Sequence, residues 1–322
     1  VESPVAITIH PSRFPAATRA AYLESFRTRR MNHQFHYESE KQAQQWLALH
    51  EAYSPARTDD DCLQTYQRAF AASAKLIAES EIALVSIGCG GGQKDLALLR
   101  ELRARRVNYV PSDVSLALAL IAHQRVTAEL RLESKPLLLD LPRAADFSGF
   151  LDSFLPGDAG RVLAFFGMLP NFEADALRPL FAALRANDIV IASANLAPGS
   201  DYRAGVEKIL PLYDNELTRH WLATSLIDAG LEISPRDIVF SIRAVGNLLR
   251  IEANYTFQRA QTIRIDANEF AYAAGDVFQL FFSYRHTPGL LRELFASYRV
   301  EIVDEWITAS GEEGIFLCRK SG

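Results

Sequence analysis

Metal chemistry and disulfide chemistry have little to work with in this chain. Its three cysteines, Cys62, Cys89 and Cys318, are too few and too scattered for a disulfide framework or a zinc site. The seven histidines show no HExxH or comparable ligand spacing, so no metal is expected. An excess of one charge is missing too. With 34 basic and 39 acidic side chains and a net charge of −5, there is no electrostatic reason to expect nucleic acid or an anionic membrane as partner. No apolar run approaches the roughly 20 residues that span a bilayer. The opening "VESPVAITIHPSRFP" has no basic region followed by an apolar one, so it does not read as a signal peptide. It starts at Val1 rather than Met, which leaves room for an upstream piece. A reducing cytoplasm is the expected location, and neither an internal repeat nor a low-complexity tract is present.

What is present is a change of period along the chain. From about Ala16 to Ala78 apolar residues recur at three- and four-residue spacings, as in "KQAQQWLALHEAY", with one break at "AYSPARTDDD" (52 to 61). A regular alternation follows. "IALVSIGCG" reads as a buried strand, "QKDLALLRELRAR" as a helix, "VNYVPSDV" as a strand and "SLALALIAHQRVTAEL" as a helix. "KPLLLDL" and "RVLAFFGML" read as strands, "EADALRPLFAALRAND" as a helix and "DIVIASANL" as a strand. That order predicts βαβ units in a parallel sheet with helices on both faces. After about Pro198 it stops, and "IVFSIRAV", "LLRIEANYTFQRAQTIRI" and "VFQLFFSYRH" carry the alternation of an antiparallel sheet. The expected domains are 1–204 for the N-terminal helices and the α/β domain, 205–286 for an inserted α+β module, and 287–322 for a closing helix and strand hairpin.

The stretch "LVSIGCGGGQKDLALLREL" (84 to 102) places four glycines in five positions between a strand and a helix. Backbone N–H groups and a helix N-terminus meet there, where a polar ligand is well received. The second strand ends in Asp113, 23 positions after Gly90, about where an acid holds ribose hydroxyls. The third ends in Asp140, within reach of an adenine amino group. A tight turn without a ligand, with both acids capping helices, is the plainer alternative. Gly88 and Gly90 fit the start of a dinucleotide fingerprint, but Gln93 stands where its last glycine belongs, and no Walker loop is present. G-x-G-x-G followed by an acidic second strand looks like S-adenosylmethionine methyltransferases, as do "LLRELFASY", "RVEIVDEWIT" and "GIFLCRK" as a closing helix and two strands. The fold implied is a class I methyltransferase-like, Rossmann-like, mostly parallel sheet with an inserted α+β substrate-binding domain.

Seven segments in order, "FHYES", "EAYSPART", "LVSIGCGGGQKD", "YVPSDVS", "FFGMLPNF", "LYDN" and "FFSYR", resemble the histidine-specific Nα-methyltransferase family of ergothioneine biosynthesis. The resemblance implies an enzyme whose cofactor is S-adenosyl-L-methionine and whose partner is a small-molecule amino acid. It implies that Gly88, Gly90, Gly92, Lys94, Asp113 and Asp140 bind the cofactor. Tyr53 and Tyr213 would bond the substrate carboxylate, Asn171 would hold the α-amino group and carboxylate near the methyl donor, and Tyr37 would sit beside the amine. A helix cap before "FEADAL" competes for Asn171, and an ordinary amphipathic core role competes for each tyrosine.

One position departs from the family pattern. Histidine-specific members carry an acidic side chain two positions before a serine in the module's last strand, where it grips the imidazole. Here the serine is Ser283 and the earlier position is Phe281. The expected substrate is therefore an amino acid or small derivative with an aromatic or apolar side chain. Histidine and a non-catalytic S-adenosylmethionine-binding role are the alternatives. A one-residue slip would exchange Phe281 with Phe282. Cys89 reads as a small residue filling the turn, with a reactive thiol as the other choice, and His36 as a surface histidine or a proton acceptor.

Overall fold

A computed structural model describes residues 4–321; Val1, on which the expectation of an upstream piece rests, lies outside them. The strands in chain order are β1 (Thr8–Ile9), β2 (Glu81–Ile87), β3 (Arg106–Asp113), β4 (Leu137–Leu138), β5 (Gly160–Phe166), β6 (Ile189–Asn195), β7 (Ile238–Val245), β8 (Leu248–Thr256), β9 (Gln261–Ile265), β10 (Asn268–Tyr272), β11 (Val277–Arg285), β12 (Val300–Ile307) and β13 (Glu313–Lys320). The chain divides into two compact units. The first comprises the residues up to Phe14, Asp59–Leu196 and the chain from His286 onward; the second comprises Pro15–Thr58 and Ala197–Arg285.

The first unit is built on one eight-stranded sheet in the order β1-β4-β3-β2-β5-β6-β13-β12. β1 to β6 pair in parallel, and β13 runs antiparallel to both β6 and β12. The central strands are apolar on both faces, as a sheet covered on both sides requires: Ile82, Ala83, Leu84 and Val85 of β2 are all fully buried. The core on one side joins Val85, Leu163, Phe165, Val190 and Phe316 to Phe181 and Phe295. Chain order reverses about β2, whose neighbours are β3 on one side and β5 on the other, and ligands bind outside the strand C-termini at such a switch point. The expected parallel sheet with an antiparallel last strand is therefore present. The helix read over "EADALRPLFAALRAND" is shorter than its pattern, a 3-10 turn at Ala174–Leu177 and a single α-turn at Arg178–Ala182. Pro179, which has no N–H to donate, sits in the first turn of that α segment.

The second unit holds a three-stranded antiparallel sheet, β11-β8-β7, and the hairpin β9-β10. Its core brings Ala21, Phe26 and Phe35 from the N-terminal helical region against Trp221, Leu226, Phe270, Phe278 and Leu280. The division thus differs from the expected one in placing Pro15–Thr58 with the module. The apolar faces of these helices are matched by β11 and the helix Glu216–Asp228, which no local periodicity records. The break at 52–61 is real: the helix Glu40–Tyr53 ends before Ser54, Pro55 opens a short helix, and the Asp59 side chain caps the next by accepting from Cys62 N–H at 2.7 Å.

Candidate active site

The glycine loop lies at the C-terminal end of β2 and leads into the helix Gln93–Glu101. Gly88, Gly90 and Gly92 all have positive φ, which explains their identity without recourse to a ligand. A Cβ at Gly92 would stand 2.8 Å from the Cα and Cβ of Ala122, so here the backbone of one helix start packs directly on a second helix. Asp113 ends β3 and ties the loop down. Its Oδ2 accepts Gly90 N–H at 3.0 Å and its Oδ1 accepts Ser115 N–H at 2.9 Å. Burial pushes its pKa up to about 6 against the pull of those two backbone donors. It is not the cap of the helix Leu116–Leu130, because Ser115 fills that place.

Asp140 follows the two-residue β4 and precedes a 3-10 turn that its side chain does not cap. Its Oδ2 is buried and makes no hydrogen bond among the described residues, and burial raises its pKa. A carboxylate oxygen in that position calls for a donor. An adenine amino group would supply one, as ribose hydroxyls would for the lone pairs left on Asp113. The residues therefore fit S-adenosylmethionine. Two acids stand at strand ends; Arg143 Nε lies 3.6 Å from Asp140 Oδ2, a charge contact that is not a hydrogen bond.

Lys94 sits in a buried network of the same unit. Its Nζ donates to the Tyr66 hydroxyl at 2.6 Å and lies 3.5 Å from Glu313 Oε1. Tyr66 donates to Ser193 Oγ at 2.7 Å and bonds Glu313, while Asn195 Nδ2 donates to Glu313 Oε2 at 2.9 Å. Ser193 Oγ also accepts Gly167 N–H at 2.9 Å, fastening the turn that leaves β5 toward Asn171. Burial, then the charge of Glu313, holds the Tyr66 phenol far above its usual pKa, so it remains a neutral donor. Tyr66 and Glu313 carried no motif and escaped sequence reasoning. Cys89 is a filler of the turn: burial and the charges of Asp113 and Asp95 keep its thiol protonated.

Asn171 ends a 3-10 turn, Leu169–Asn171, beyond β5. It is not the cap of the next turn, which is Glu173. Its backbone N–H bonds Met168 O at 2.9 Å, and its side-chain amide makes no hydrogen bond among the described residues.

In the second unit Tyr37, Tyr213, Phe281 and Ser283 come together around a cluster of rings. β11 carries a bulge between Gln279 and Phe281, so Leu280 and Phe281 both oppose one partner residue. Beyond the bulge Phe281, Ser283 and Arg285 share a face. Phe281 is 7% exposed and lies 6.0 Å from Tyr213, 6.1 Å from Trp221 and 5.5 Å from His33 between ring centroids. Phe282 also meets His33, at 4.7 Å, but lies under Arg250 and beside Tyr284 rather than against Tyr213 and Trp221. Tyr37 contacts Trp46 at 5.9 Å and Trp221 at 5.5 Å. The Tyr213 hydroxyl donates to Ser283 Oγ at 3.1 Å and accepts from Arg285 at 2.6 Å. Tyr53, the last residue of its helix, is 52% exposed and makes no ring contact with this cluster among the described residues.

His36 is a correction. It is fully buried rather than at the surface, its Nε2 against Leu280 O at 2.8 Å and its own carbonyl receiving the Trp221 indole N–H at 2.8 Å. Burial lowers its pKa to about 4, and burial together with His36 lowers that of His33 to about 3, so both rings are neutral. Trp221, His33 and Arg285 were the residues missed here. The signal that could have found Arg285 was the alternation 281, 283, 285.

The sheet order, the glycine turn and the two strand-end acids define a class I S-adenosylmethionine-dependent methyltransferase. Comparison gives the family: a model described as "Histidine-specific methyltransferase, SAM-dependent" matches residues 21–320, and the chain belongs to that family. Among curated proteins no sequence match was found. Among solved structures the chain is similar to magnesium protoporphyrin IX methyltransferase from Synechocystis, solved with bound SAH, at 12% identity over 88% of this chain and 95% of that one, TM-score 0.45. It is also similar to a sugar N-methyltransferase from Streptoalloteichus (11% identity, 85% and 93% coverage, TM-score 0.40). A third is the 1,6-didemethyltoxoflavin-N1-methyltransferase of Burkholderia thailandensis (13% identity, 100% and 94% coverage, TM-score 0.40). Among the described residues no helix is long and apolar enough to cross a membrane, and no cluster of His, Cys, Asp and Glu is suited to a metal ion.

Proposed function

We propose that the protein methylates the α-amino nitrogen of a free amino acid, or of a small amino-acid derivative, whose side chain is aromatic or apolar. One observation carries the choice of side chain. Phe281 occupies the position where the family resemblance calls for an imidazole-gripping acid, and it is walled by Trp221, Tyr213 and His33. A phenyl ring there forfeits a charge-assisted hydrogen bond of roughly 1.5 to 3 kcal/mol to an imidazole and favours an apolar partner.

The bound cofactor supplies an electrophilic methyl group on a sulfonium. The protein's task is to present a neutral amine in line with it. In this reading Gly88, Gly90, Gly92, Lys94, Asp113 and Asp140 hold the cofactor, Asn171 and Tyr37 hold the amine, and Tyr53, Tyr213 and Ser283 hold the rest of the substrate. Phenols and an amide orient an amine without adding a full charge. Positioning of this kind is worth roughly 7 to 11 kcal/mol of barrier.

The second reading is histidine itself, favoured by the description of the family. Mass spectrometry of reactions with S-adenosylmethionine and pooled, then single, amino acids separates the two. A gain of one to three methyl groups on an aromatic or apolar amino acid supports the first. A gain on histidine alone overturns it. Cofactor binding without any product leaves a modified amino acid or a sensor.

A further inference from the structure

Three arginines are buried among the described residues, and they are not alike. Arg161 is 3% exposed and paired with Asp188 and Asp152. Arg250 is 4% exposed and paired with Glu252 at 2.6 Å. Arg285 is 5% exposed and has no carboxylate partner among the described residues. Among them its one side-chain hydrogen bond runs from Nη2 to the Tyr213 hydroxyl, the Tyr213 ring lies 5.3 Å from its guanidinium carbon, and its buried Nε has no hydrogen-bond partner. A guanidinium always carries its charge and offers five donors in a planar fork matched to a carboxylate. Burying one with a phenol as sole partner leaves both charge and donors uncompensated.

We propose that Arg285 is the anion-binding residue of the acceptor site and takes the free carboxylate of the methyl acceptor, with the Tyr213 hydroxyl beside it. This rests on the reading of the protein as an amino-acid methyltransferase and narrows it. Phe281, Ser283 and Arg285 alternate along one face of β11, so that face passes from apolar through hydroxyl to cationic over about 13 Å of strand. It suits a molecule with an apolar group at one end and a carboxylate at the other. Amides, esters and residues inside a peptide lack the anion and are rejected, because the buried cation would stay unpaired. The phenol that Arg285 touches is also fixed by Ser283, so the fork is oriented before a ligand arrives.

The test uses phenylacetate and phenylacetamide, which share a ring and differ in the anion. Neither can be methylated on an α-amine. Calorimetric titration of the S-adenosylhomocysteine-saturated protein is expected to show phenylacetate binding at least tenfold tighter than phenylacetamide. That ratio should fall to about one in Arg285→Gln and be partly kept in Arg285→Lys. A wild-type protein that fails to distinguish the two ligands overturns the proposal, as does an Arg285→Gln variant that keeps the ratio. Should Arg285→Gln not fold, Arg285→Lys decides alone: a reduced ratio supports the proposal and an unchanged one overturns it. Methylation of amino acids is scored separately. Carboxylate preference without methylation of any amino acid keeps the Arg285 assignment and removes the reading of a free amino acid as methyl acceptor; methylation without carboxylate preference does the reverse.

Discussion

The Asp113 carboxylate and the Gly90 backbone N–H are joined at 3.0 Å, fixing the acidic end of the second strand of the cofactor fold to the loop that follows the first. One side chain thereby shapes the glycine turn and keeps lone pairs that, in the proposed cofactor site, would meet ribose hydroxyls.

The pH dependence of cofactor binding follows from that bond. In the proposed cofactor site ribose hydroxyls would donate to the ionised Asp113 carboxylate, and burial raises its pKa to about 6. Affinity for S-adenosylhomocysteine is expected to be level above pH 6 and to weaken below it, by up to tenfold per pH unit. Asp113→Asn should bind at least about tenfold more weakly and show no such slope. Asp95 has a similar burial-raised pKa but bonds the Tyr109 hydroxyl at 2.6 Å and is retained in the variant. A slope that persists in Asp113→Asn assigns the titration to Asp95 or to Asp140, whose carboxyl burial also raises. Calorimetry between pH 5 and 8, on both proteins, reads this directly.

Gly92→Ala tests the packing argument. The residue has φ +69°, and its new Cβ would meet the Ala122 backbone at 2.8 Å. Left-handed backbone costs roughly 1–2 kcal/mol for a non-glycine residue, and overpacking adds about 1–3 kcal/mol. Gly230, at φ +96° with nothing within 4 Å, provides the control, since Gly230→Ala incurs the backbone cost alone. Denaturant unfolding should show Gly92→Ala as the more destabilised of the two, and equal losses would remove the packing role.

The α/β alternation, the glycine turn and the strand-end acids were legible because each is a local pattern. Asp113 and Asp140 could be placed by counting from the glycines. The grouping of Pro15–Thr58 with the module was not legible, because Phe26 and Phe35 meet β11 across more than two hundred residues of sequence. The Phe281 or Phe282 ambiguity was of a different kind. Strict alternation cannot decide it, since the bulge at Leu280 shifts the phase of the strand in mid-course. Lys94 was legible as a position but its partners were not, for Tyr66, Ser193 and Glu313 come from three distant segments.

Phe281→Glu should move acceptor preference toward histidine. The new carboxylate would stand among Trp221, Tyr213 and His33, able to accept from an imidazole N–H. Restoring a charge-assisted bond of roughly 1.5 to 3 kcal/mol predicts a ten- to hundredfold rise in the histidine to phenylalanine ratio of kcat/KM. Burying that acid without ligand will also lower stability, so the ratio and not the absolute rate is the quantity to compare. Competition assays with both amino acids in one tube give it, and an unchanged ratio detaches position 281 from side-chain selection.

Asn171→Ala separates catalysis from cofactor binding. Because the Asn171 amide neither caps the following turn nor bonds another described residue, its removal should change stability by no more than about 0.5 kcal/mol. If it holds the amine in line, its loss misplaces the nucleophile, and kcat/KM should fall by about a hundredfold. The Kd for S-adenosylhomocysteine should stay within a factor of two. Parallel loss of rate and cofactor affinity would place Asn171 with the cofactor, and an unchanged rate would remove it from the reaction altogether. The positioning role therefore stands on the split between the two measurements rather than on either alone.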